Sequence, residues 1–456
     1  MKIRTESVMA MVAVLAWLGG HAAFSQGPLT PPGAPAPTMK TLQEIEPRTA
    51  ITNAGAVTLS SPGSYYLTTN IAVSAGDAIT IAANGVTLDL NGFTISSTEP
   101  SPAGYGIRLN SGLRDITILN GHIRGGVTNN GSGVYGGPGF HSGIFYSGDA
   151  PLNVLISGVS VTGCAQFGIY LHTQSASLVE SCMVQSIRYT GIVATSVKGS
   201  VAQDCGLTAI WGDSVSDCRG QSISSDSIFA NTAENSSGTS SGGSGMMING
   251  PAQNCMGMSS NSMGLFAYEA LNCNGTSTSN EGLKVSNTAK NCIGESQNGI
   301  GLSGKTAENC EGYSQTFVGI QVTVATGCKG KSEGSFNGVR ADVADNCWGQ
   351  SVGAEGLYAD TASNCRGQST SGDGMFASVA QNCVGRSTSG RGLVSKCANN
   401  CIGESNSNTG LDATGGSAIG CRGYSNSGTG LVAQIANSCI GFGATNVVAT
   451  YKYDMP

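Results

Sequence analysis

Three aspartates in the second half of the chain have the residue type and spacing for acid–base chemistry. Asp342 and Asp360 are 18 positions apart, and Asp345 is close to the first of them. Two carboxylates held near each other repel, which raises the pKa of one of them. Such a pair can divide the acid and base roles of sugar hydrolysis or bind a cation such as Ca²⁺. The alternative is a solvated pair of aspartates on a turn.

Histidine and arginine form a second candidate group. His122, Arg124 and His141 fall in one short stretch of the chain, which also contains His172. An imidazole base and a guanidinium that stabilises negative charge are the groups that cleavage of a sugar chain needs. We expect the segment Gly125 to Pro151 to form a loop that folds over a cleft beside them. The alternative is that each histidine faces water or fills a corner of the fold.

Aromatic residues form a third candidate, which is a surface and not a reaction centre. Tyr358 and Phe376 are 18 positions apart, and Trp348 and Arg340 are close to them in the chain. Aromatic faces stack on sugar rings, so these four side chains are candidate ligand-binding groups for a polymer. Scattered apolar residues on a surface are the alternative.

The cysteines reveal the elements that must position these groups, because they recur with a regular period. From Cys255 onward, setting Cys397 aside, they recur at steps of 18 or 19 residues with one step of 20. The motif Asn-Cys-x-Gly-x-Ser marks the steps. We expect Cys218 to belong to the series if Ser236 fills a missing place, and we expect three earlier cysteines to continue it with looser spacing. These three are Cys164, Cys182 and Cys205.

The alternation inside each repeat predicts β-strands. The constant Cys, Gly and Ser are small, whereas the x positions hold Arg, Lys, Glu, Trp, Gln or Ile. Successive side chains of a strand point to opposite faces, so the constant residues point inward and the variable ones outward. A Gly-Leu pair and an Ala complete each repeat with two further strands. Eighteen residues suit one coil of a β-solenoid, and the inward spacing favours a right-handed one.

The series of cysteines then has two possible interpretations. Disulfides between neighbouring coils would need an oxidising compartment. A row of buried, unpaired thiols is the alternative, which we prefer because stacked neighbours point their Cβ atoms the same way. The absence of any Cys-x-x-Cys pair predicts no metal site.

The ends of the chain predict export. Lys2 and Arg4, an apolar run over 8–18 and small residues near Ser25 are typical of a signal peptide over 1–25. A Pro-rich linker over 26–40 and a cap over 41–75 are expected next, and residues 41–51 are expected to form either a short helix or part of this cap. Irregular coils over 76–205, regular coils over 206–446 and a tail over 447–456 complete the expected order. The mature protein would be secreted, periplasmic or on the cell surface.

Composition excludes some partners. The chain has 456 residues, a formal net charge of −6 and only 11% charged residues. A mildly acidic chain without basic clusters is a poor partner for nucleic acid, and no segment is long and apolar enough for a transmembrane helix.

Several segments resemble bacterial exported proteins of the right-handed parallel β-helix class, which have the pectin-lyase-like fold. The segments are PGSYYLTTNI (62–71), GVTLDLNGFTI (85–95) and ITILNGHIRG (116–125), together with the recurring Asn. The resemblance implies an all-β, single-solenoid fold. Proteins of this class include polysaccharide lyases, glycoside hydrolases and non-catalytic surface proteins.

Two functional hypotheses follow. The first is a non-catalytic exported β-helix that binds a glycan or another cell-surface partner along its side, or serves as an extended structural module. The second is a polysaccharide lyase or glycosidase. The first explains the uniform repeats, and neither needs an organic cofactor.

Overall fold

The computed structural model describes residues 46–148 and 150–455. Residues 46–48 belong to a separate unit from Thr49–Pro456, and in it Arg48 forms an ion pair with Glu46 at 2.7 Å. The expected signal peptide, the linker and residues 41–45 of the expected cap lie outside the described residues.

The described part of the second unit consists of short β-strands and contains no helix. The strands before the regular repeats are Thr49–Ile51, Val57–Leu59, Gly63–Leu67, Ile71–Val73, Ile79–Ile81, Val86–Asp89, Thr94–Ser97, Ala103–Leu109, Arg114–Arg124, Thr128–Asn129, Tyr135–Gly136, Phe140–Tyr146, Leu152–Thr162, Phe167–Tyr170, Ser177–Glu180, Met183–Ile187, Thr190–Lys198 and Val201–Cys205. The strands of the regular repeats are Ile210–Ser216, Arg219–Ser222, Ile228–Glu234, Ser237–Ser240, Met246–Ile248, Pro251–Gln253, Met256–Ser259, Leu265–Ala267, Glu269–Leu271, Asn274–Ser277, Leu283–Val285, Thr288–Lys290, Ile293–Ser296, Leu302–Glu308, Glu311–Ser314, Ile320–Thr326, Lys329–Ser332, Val339–Asp345, Trp348–Ser351, Leu357–Ser363, Arg366–Ser369, Met375–Gln381, Val384–Ser387, Leu393–Val394, Cys397–Asn399, Ile402–Ser405, Leu411–Ile419, Arg422–Ser425, Thr429–Asn437, Ile440–Phe442 and Thr445–Tyr453.

The strands stack in parallel and in register as a β-solenoid of about 22 turns. Each regular coil contributes to three faces, which we call the cysteine, leucine and alanine faces after their inward residues. Trp348–Ser351 pairs with Arg366–Ser369 on the cysteine face. Leu357–Ser363 pairs with Met375–Gln381 and crosses both of the other faces. The predicted all-β solenoid is confirmed; its right-handed sense stays a prediction.

Burial follows the predicted alternation. Cys365 and Ser369 are 1% and 3% exposed, while Arg366 between them in the chain is exposed. Leu357, Ala359 and Ala362 are fully buried. Each coil therefore contributes a thin apolar layer, and the layers stack into one continuous core.

The residue before each cysteine of the regular coils, which is usually asparagine, makes the turn into the cysteine face. Asn364 has φ of 55° and Asn382 has φ of 56°, in the left-handed region that asparagine tolerates better than most residues. The Asn382 Nδ2 donates to Asn364 Oδ1 at 3.3 Å, so neighbouring coils are joined at this turn. Gly327 and Gly420 occupy the same position in two coils and also have positive φ.

The cysteine series differs from its expected form at two places. Register places Ser236 between Cys218 and Cys255, as predicted. Cys205, however, pairs with Ser222, so it belongs to the serine position of the motif. Cys164 lies at the equivalent corner of an earlier coil, because the Arg188 N–H donates to its carbonyl. All sixteen cysteines of the chain are unpaired, and Cys397 alone is exposed.

The N-terminal coils also differ from expectation. The helix expected near 41–51 is wrong over its described part, since Thr49–Ile51 is a strand that pairs with Gly63–Leu67. Strands within 49–75 pair with later coils, so the solenoid begins inside the segment expected to be a cap. The loop expected over 125–151 is shorter, because Phe140–Tyr146 is a solenoid strand. None of the described residues forms a helix that could span a membrane.

Candidate functional site

A row of cavities lies along the cysteine face. It consists of three adjoining cavities of about 340, 380 and 570 Å³. Trp348 lines the first and second cavities, and Gln368 and Arg386 line the second and third. Because these side chains are shared, the cavities adjoin one another in a row, which we call the cysteine-face groove.

The groove exists because two outward positions of each cysteine strand flank a buried glycine. In the coil of Trp348 these positions are Trp348 and Gln350, with Gly349 between them. The first row of outward residues reads Ile293, Glu311, Lys329, Trp348, Arg366, Val384, Ile402 and Arg422. Seven coil steps at ~4.8 Å make this row ~34 Å long.

Trp348 is the exposed aromatic residue at the centre of this groove. Its side chain is 44% exposed, and no ring contact to it is found among the described residues. Lys329 and Arg366 are its neighbours in the row. The indole therefore presents an apolar surface next to two cationic side chains.

Most of the charged side chains of the groove form ion pairs. Lys329 binds Glu311 at 2.9 Å, and Arg386 binds Glu404 at 2.9 Å. Lys331 binds Glu333, and this hydrogen bond raises the pKa of the Lys331 ammonium. Arg366 has no carboxylate partner among the described residues, so its guanidinium is open to an incoming group.

The leucine face carries the other predicted aromatic residues. Tyr358 and Phe376 are adjacent, as predicted, and their rings stack at 5.0 Å with an interplanar angle of 8°. The Arg340 guanidinium lies 5.8 Å from the centre of the Tyr358 ring, on the coil before it. Both faces of the Tyr358 ring are therefore engaged by protein groups, which leaves little room for a sugar to stack on it. Trp348 lies on another face and does not join this set.

Asp342 and Asp360 are neighbours across one coil step, as predicted. The pairs Ala341–Ala359 and Val343–Thr361 flank them in register. Both carboxylates line a cavity of about 640 Å³ on the leucine face that Arg340 and Tyr358 also line. Neither carboxylate has a hydrogen bond or an ion pair within the described part of the chain.

Asp345 does not join the other two aspartates. Its Oδ1 accepts a hydrogen bond from Asn364 Nδ2 at 3.1 Å, at the turn where the asparagines meet. No group of three or more His, Cys, Asp or Glu side chains among residues 46–148 and 150–455 is arranged to hold a metal ion. The possible role of the Asp342–Asp360 pair in binding Ca²⁺ stays a prediction.

The histidines are separated by the fold. His122 and Arg124 lie exposed on Arg114–Arg124, in register with Ser160 and Thr162 of the next coil. His141 lines a cavity at the corner between the cysteine and leucine faces, where burial lowers the pKa of its imidazole. The cavity at His141 is not lined by His122 or Arg124. The three residues are therefore not one constellation.

Sequence reasoning missed the cysteine-face groove, although its signal was in the repeat. The x positions after each cysteine were assigned to the outside, and they supply Trp348, Gln350, Arg366 and Gln368. The repeat does not tell on which of the three faces an outward residue lies, because that depends on the positions of the corners.

Comparisons with known proteins found no matching family model and no matching curated protein. Among solved structures, the A-module of mannuronan C-5 epimerase AlgE6 from Azotobacter vinelandii is similar to this chain. The match has 13% sequence identity and a TM-score of 0.21, and it covers 87% of this chain and 91% of that chain. Similarity at this level carries no conclusion about activity.

Proposed function

We propose that this protein binds an extended glycan strand along the cysteine-face groove and performs no chemistry on it. The observation that carries the proposal is that three cavities adjoin in a row, since the first and second share Trp348 and the second and third share Gln368 and Arg386. A groove ~34 Å long suits a polymer better than a small molecule.

The side chains of the groove match the chemistry of a sugar chain. The exposed indole of Trp348 offers an apolar face for a sugar ring. Gln350 and Gln368 are adjacent in register and carry amide groups that both donate and accept hydrogen bonds, as hydroxyl groups require. Arg366 adds a cationic donor without a carboxylate partner. The coils repeat the backbone of these positions every ~4.8 Å, while the side chains differ from coil to coil.

The separation of the candidate catalytic groups supports a non-catalytic role. The Asp342–Asp360 pair lies on the leucine face, and His141 lies at a corner, so neither reaches a ligand in the groove. Catalysis by paired carboxylates requires both groups to flank one bond of the substrate. We further propose that the protein is exported, because Lys2, Arg4 and the apolar run over 8–18 are typical of a signal peptide.

Glycan affinity of a tryptophan variant tests the proposal. Trp348→Ala removes the ring that would stack on a sugar and should weaken binding at least tenfold, or ~1.4 kcal/mol. Trp211→Ala is the matched control, because Trp211 is 42% exposed but lies on the leucine face. Binding would be measured by calorimetry or affinity electrophoresis against a panel of neutral and acidic polysaccharides.

Two results would contradict the proposal. Equal losses of affinity in Trp348→Ala and Trp211→Ala would remove the groove as the binding surface. Release of reducing or unsaturated ends from any polysaccharide by the wild type would show that the protein is a glycosidase or lyase. The variants Asp342→Asn/Asp360→Asn and His141→Ala would then identify which candidate group acts.

A further inference from the structure

A two-stranded hairpin lies over one corner of the N-terminal coils. Its strands, Thr128–Asn129 and Tyr135–Gly136, pair with each other and lie outside the main sheet. At its tip, a Cβ placed on Gly133 would be 3.2 Å from the Ile223 side chain, so the hairpin reaches several coils along the axis. Among the described residues, the two strands of this hairpin are the only ones outside the main sheet.

Asp204 fastens the hairpin to the solenoid. Its Oδ1 accepts hydrogen bonds from the Tyr135 hydroxyl at 2.8 Å and from Asn129 Nδ2 at 2.7 Å. Its Oδ2 accepts one from the Ser186 hydroxyl at 2.9 Å. Tyr135 is only 8% exposed. Burial and this carboxylate raise the pKa of the Tyr135 phenol, so it remains a donor over the whole ordinary pH range. The hairpin is therefore held in a defined position.

A cavity of about 520 Å³ lies against the hairpin. Residues 100–102 and 135–137 form two of its walls, and the corners of three successive coils supply His141, Gln166, and Arg188 with Tyr189. The lining residues include no aspartate or glutamate. The nearby Asp204 carboxylate accepts its three hydrogen bonds from Tyr135, Asn129 and Ser186.

Arg188 is the cationic group of this cavity. Its guanidinium lies 5.4 Å from the centre of the Tyr189 ring and has no carboxylate partner within the described residues. A guanidinium next to an aromatic ring can bind a planar oxyanion through paired N–H groups while the ring contacts an apolar sugar face. The Gln166 amide and the His141 imidazole supply further hydrogen-bonding groups for hydroxyls.

We infer that this corner cavity is a second binding site, which takes a small sugar bearing a carboxylate group. Arg188 binds the carboxylate, Tyr189 contacts the sugar ring, and Gln166 and His141 bind hydroxyl groups. The volume suits one or two sugar units. The site lies at a corner and shares no lining residue with the cysteine-face groove, so it does not depend on the function proposed for the groove.

Binding of D-glucuronate, D-glucose and inorganic sulfate to the full chain tests the inference. By calorimetry or ligand-observed NMR, the wild type should bind D-glucuronate more tightly than either of the other two. Arg188→Gln should raise the dissociation constant for D-glucuronate at least tenfold. Arg219→Gln is the matched control, because Arg219 is exposed on the cysteine face away from this cavity, and it should change nothing.

The outcomes separate this site from the groove. Trp348→Ala should leave D-glucuronate binding unchanged, even if it abolishes polymer binding. Equal affinity of the wild type for D-glucose and D-glucuronate would overturn the role of the carboxylate, and sulfate binding as tight as that of D-glucuronate would overturn the role of the sugar. Equal losses in Arg188→Gln and Arg219→Gln would overturn the placement of the site.

Discussion

At the scale of the residue, the two ends of the Cys-x-Gly-x-Ser motif join neighbouring coils in different ways. The Cys365 thiol donates to the carbonyls of Ser363 at 3.1 Å and Ala344 at 3.4 Å. The Ser369 hydroxyl donates to the Ala354 carbonyl at 2.6 Å and accepts from the Gly372 N–H at 3.0 Å. The alternation predicted that both residues point inward. It could not predict their partners, because these lie on the preceding coil as well as on the local turn.

Burial should keep the inward thiols unreactive. It raises the pKa of Cys182 and Cys218 to about 11 and that of Cys164 to about 12. A thiol with a pKa near 11 is only ~0.1% thiolate at pH 8, and the thiolate is the reactive form. We therefore expect the native protein at pH 8 to react with about one equivalent of a chromogenic aryl disulfide, at the exposed Cys397. Reaction of Cys164, Cys182 and Cys218 should begin only as the pH approaches ~11.

Cys397→Ser is the control for this titration, and it should reduce the fast reaction at pH 8 to nearly zero. In denaturant without a reductant, all sixteen thiols of the wild type should react. A markedly lower count in the unfolded protein would mean that disulfides join the coils and that the cysteines are not free thiols. The same pKa shift predicts that stability is intact below the thiol pKa of the unfolded chain, near 8.5, and declines as the pH rises toward 11.

At the scale of the element, the repeat predicted the strands of the regular coils and their inward residues. It did not predict the hairpin at Tyr135–Gly136, which does not repeat elsewhere in the chain. It also missed the strand Phe140–Tyr146, although its Gly143-Ile144 pair is in register with Gly168-Ile169 of the next coil. It also placed Trp348 with Tyr358, although a corner separates them. The direction in which a short strand leaves a corner depends on stacking against the neighbouring coils, which no local pattern records.

The asparagine turn gives a test at this scale. Asn364 adopts a positive φ and makes hydrogen bonds to Asp345 and Asn382. Asn364→Ala loses both bonds and places a Cβ-bearing residue without a compensating side chain in the left-handed region, so it should destabilise the protein by about 1–3 kcal/mol. Asn364→Gly should cost less, because Gly327 and Gly420 adopt the same conformation at this position.

Chemical unfolding followed by circular dichroism would measure the two variants, with Gln368→Ala on the outer face as a neutral control. Hydrogen exchange at the turn would show whether a loss is confined to the coil. The account of the turn is wrong if Asn364→Gly is less stable than Asn364→Ala.

At the scale of the whole molecule, function depends on which residues share a face. The chain pattern identified Trp348, Asp342 and His141 as candidates, and the coil geometry then assigned them to a groove, a separate cavity and a corner. Each coil packs only against its nearest neighbours in the stack, so the stability of the solenoid is close to a sum over coils and their interfaces. Each coil therefore adds one step to the length of the groove and one step to the length of the solenoid.

Removal of one coil tests this description of the molecule. Deletion of residues 366–383 joins Cys365 to Val384 and restores the motif as Cys-Val-Gly-Arg-Ser. Because every later strand keeps its face and register, we expect a cooperatively folded protein that is shorter by ~4.8 Å, with groove binding weakened by the loss of Arg366.

Deletion of residues 366–374 is the control, because it moves a leucine strand onto the cysteine face and turns the corners of later coils out of line. This half-coil deletion should abolish cooperative unfolding of the C-terminal coils. Circular dichroism and small-angle scattering would compare the two, and equal stability would show that the coil is not the unit of folding.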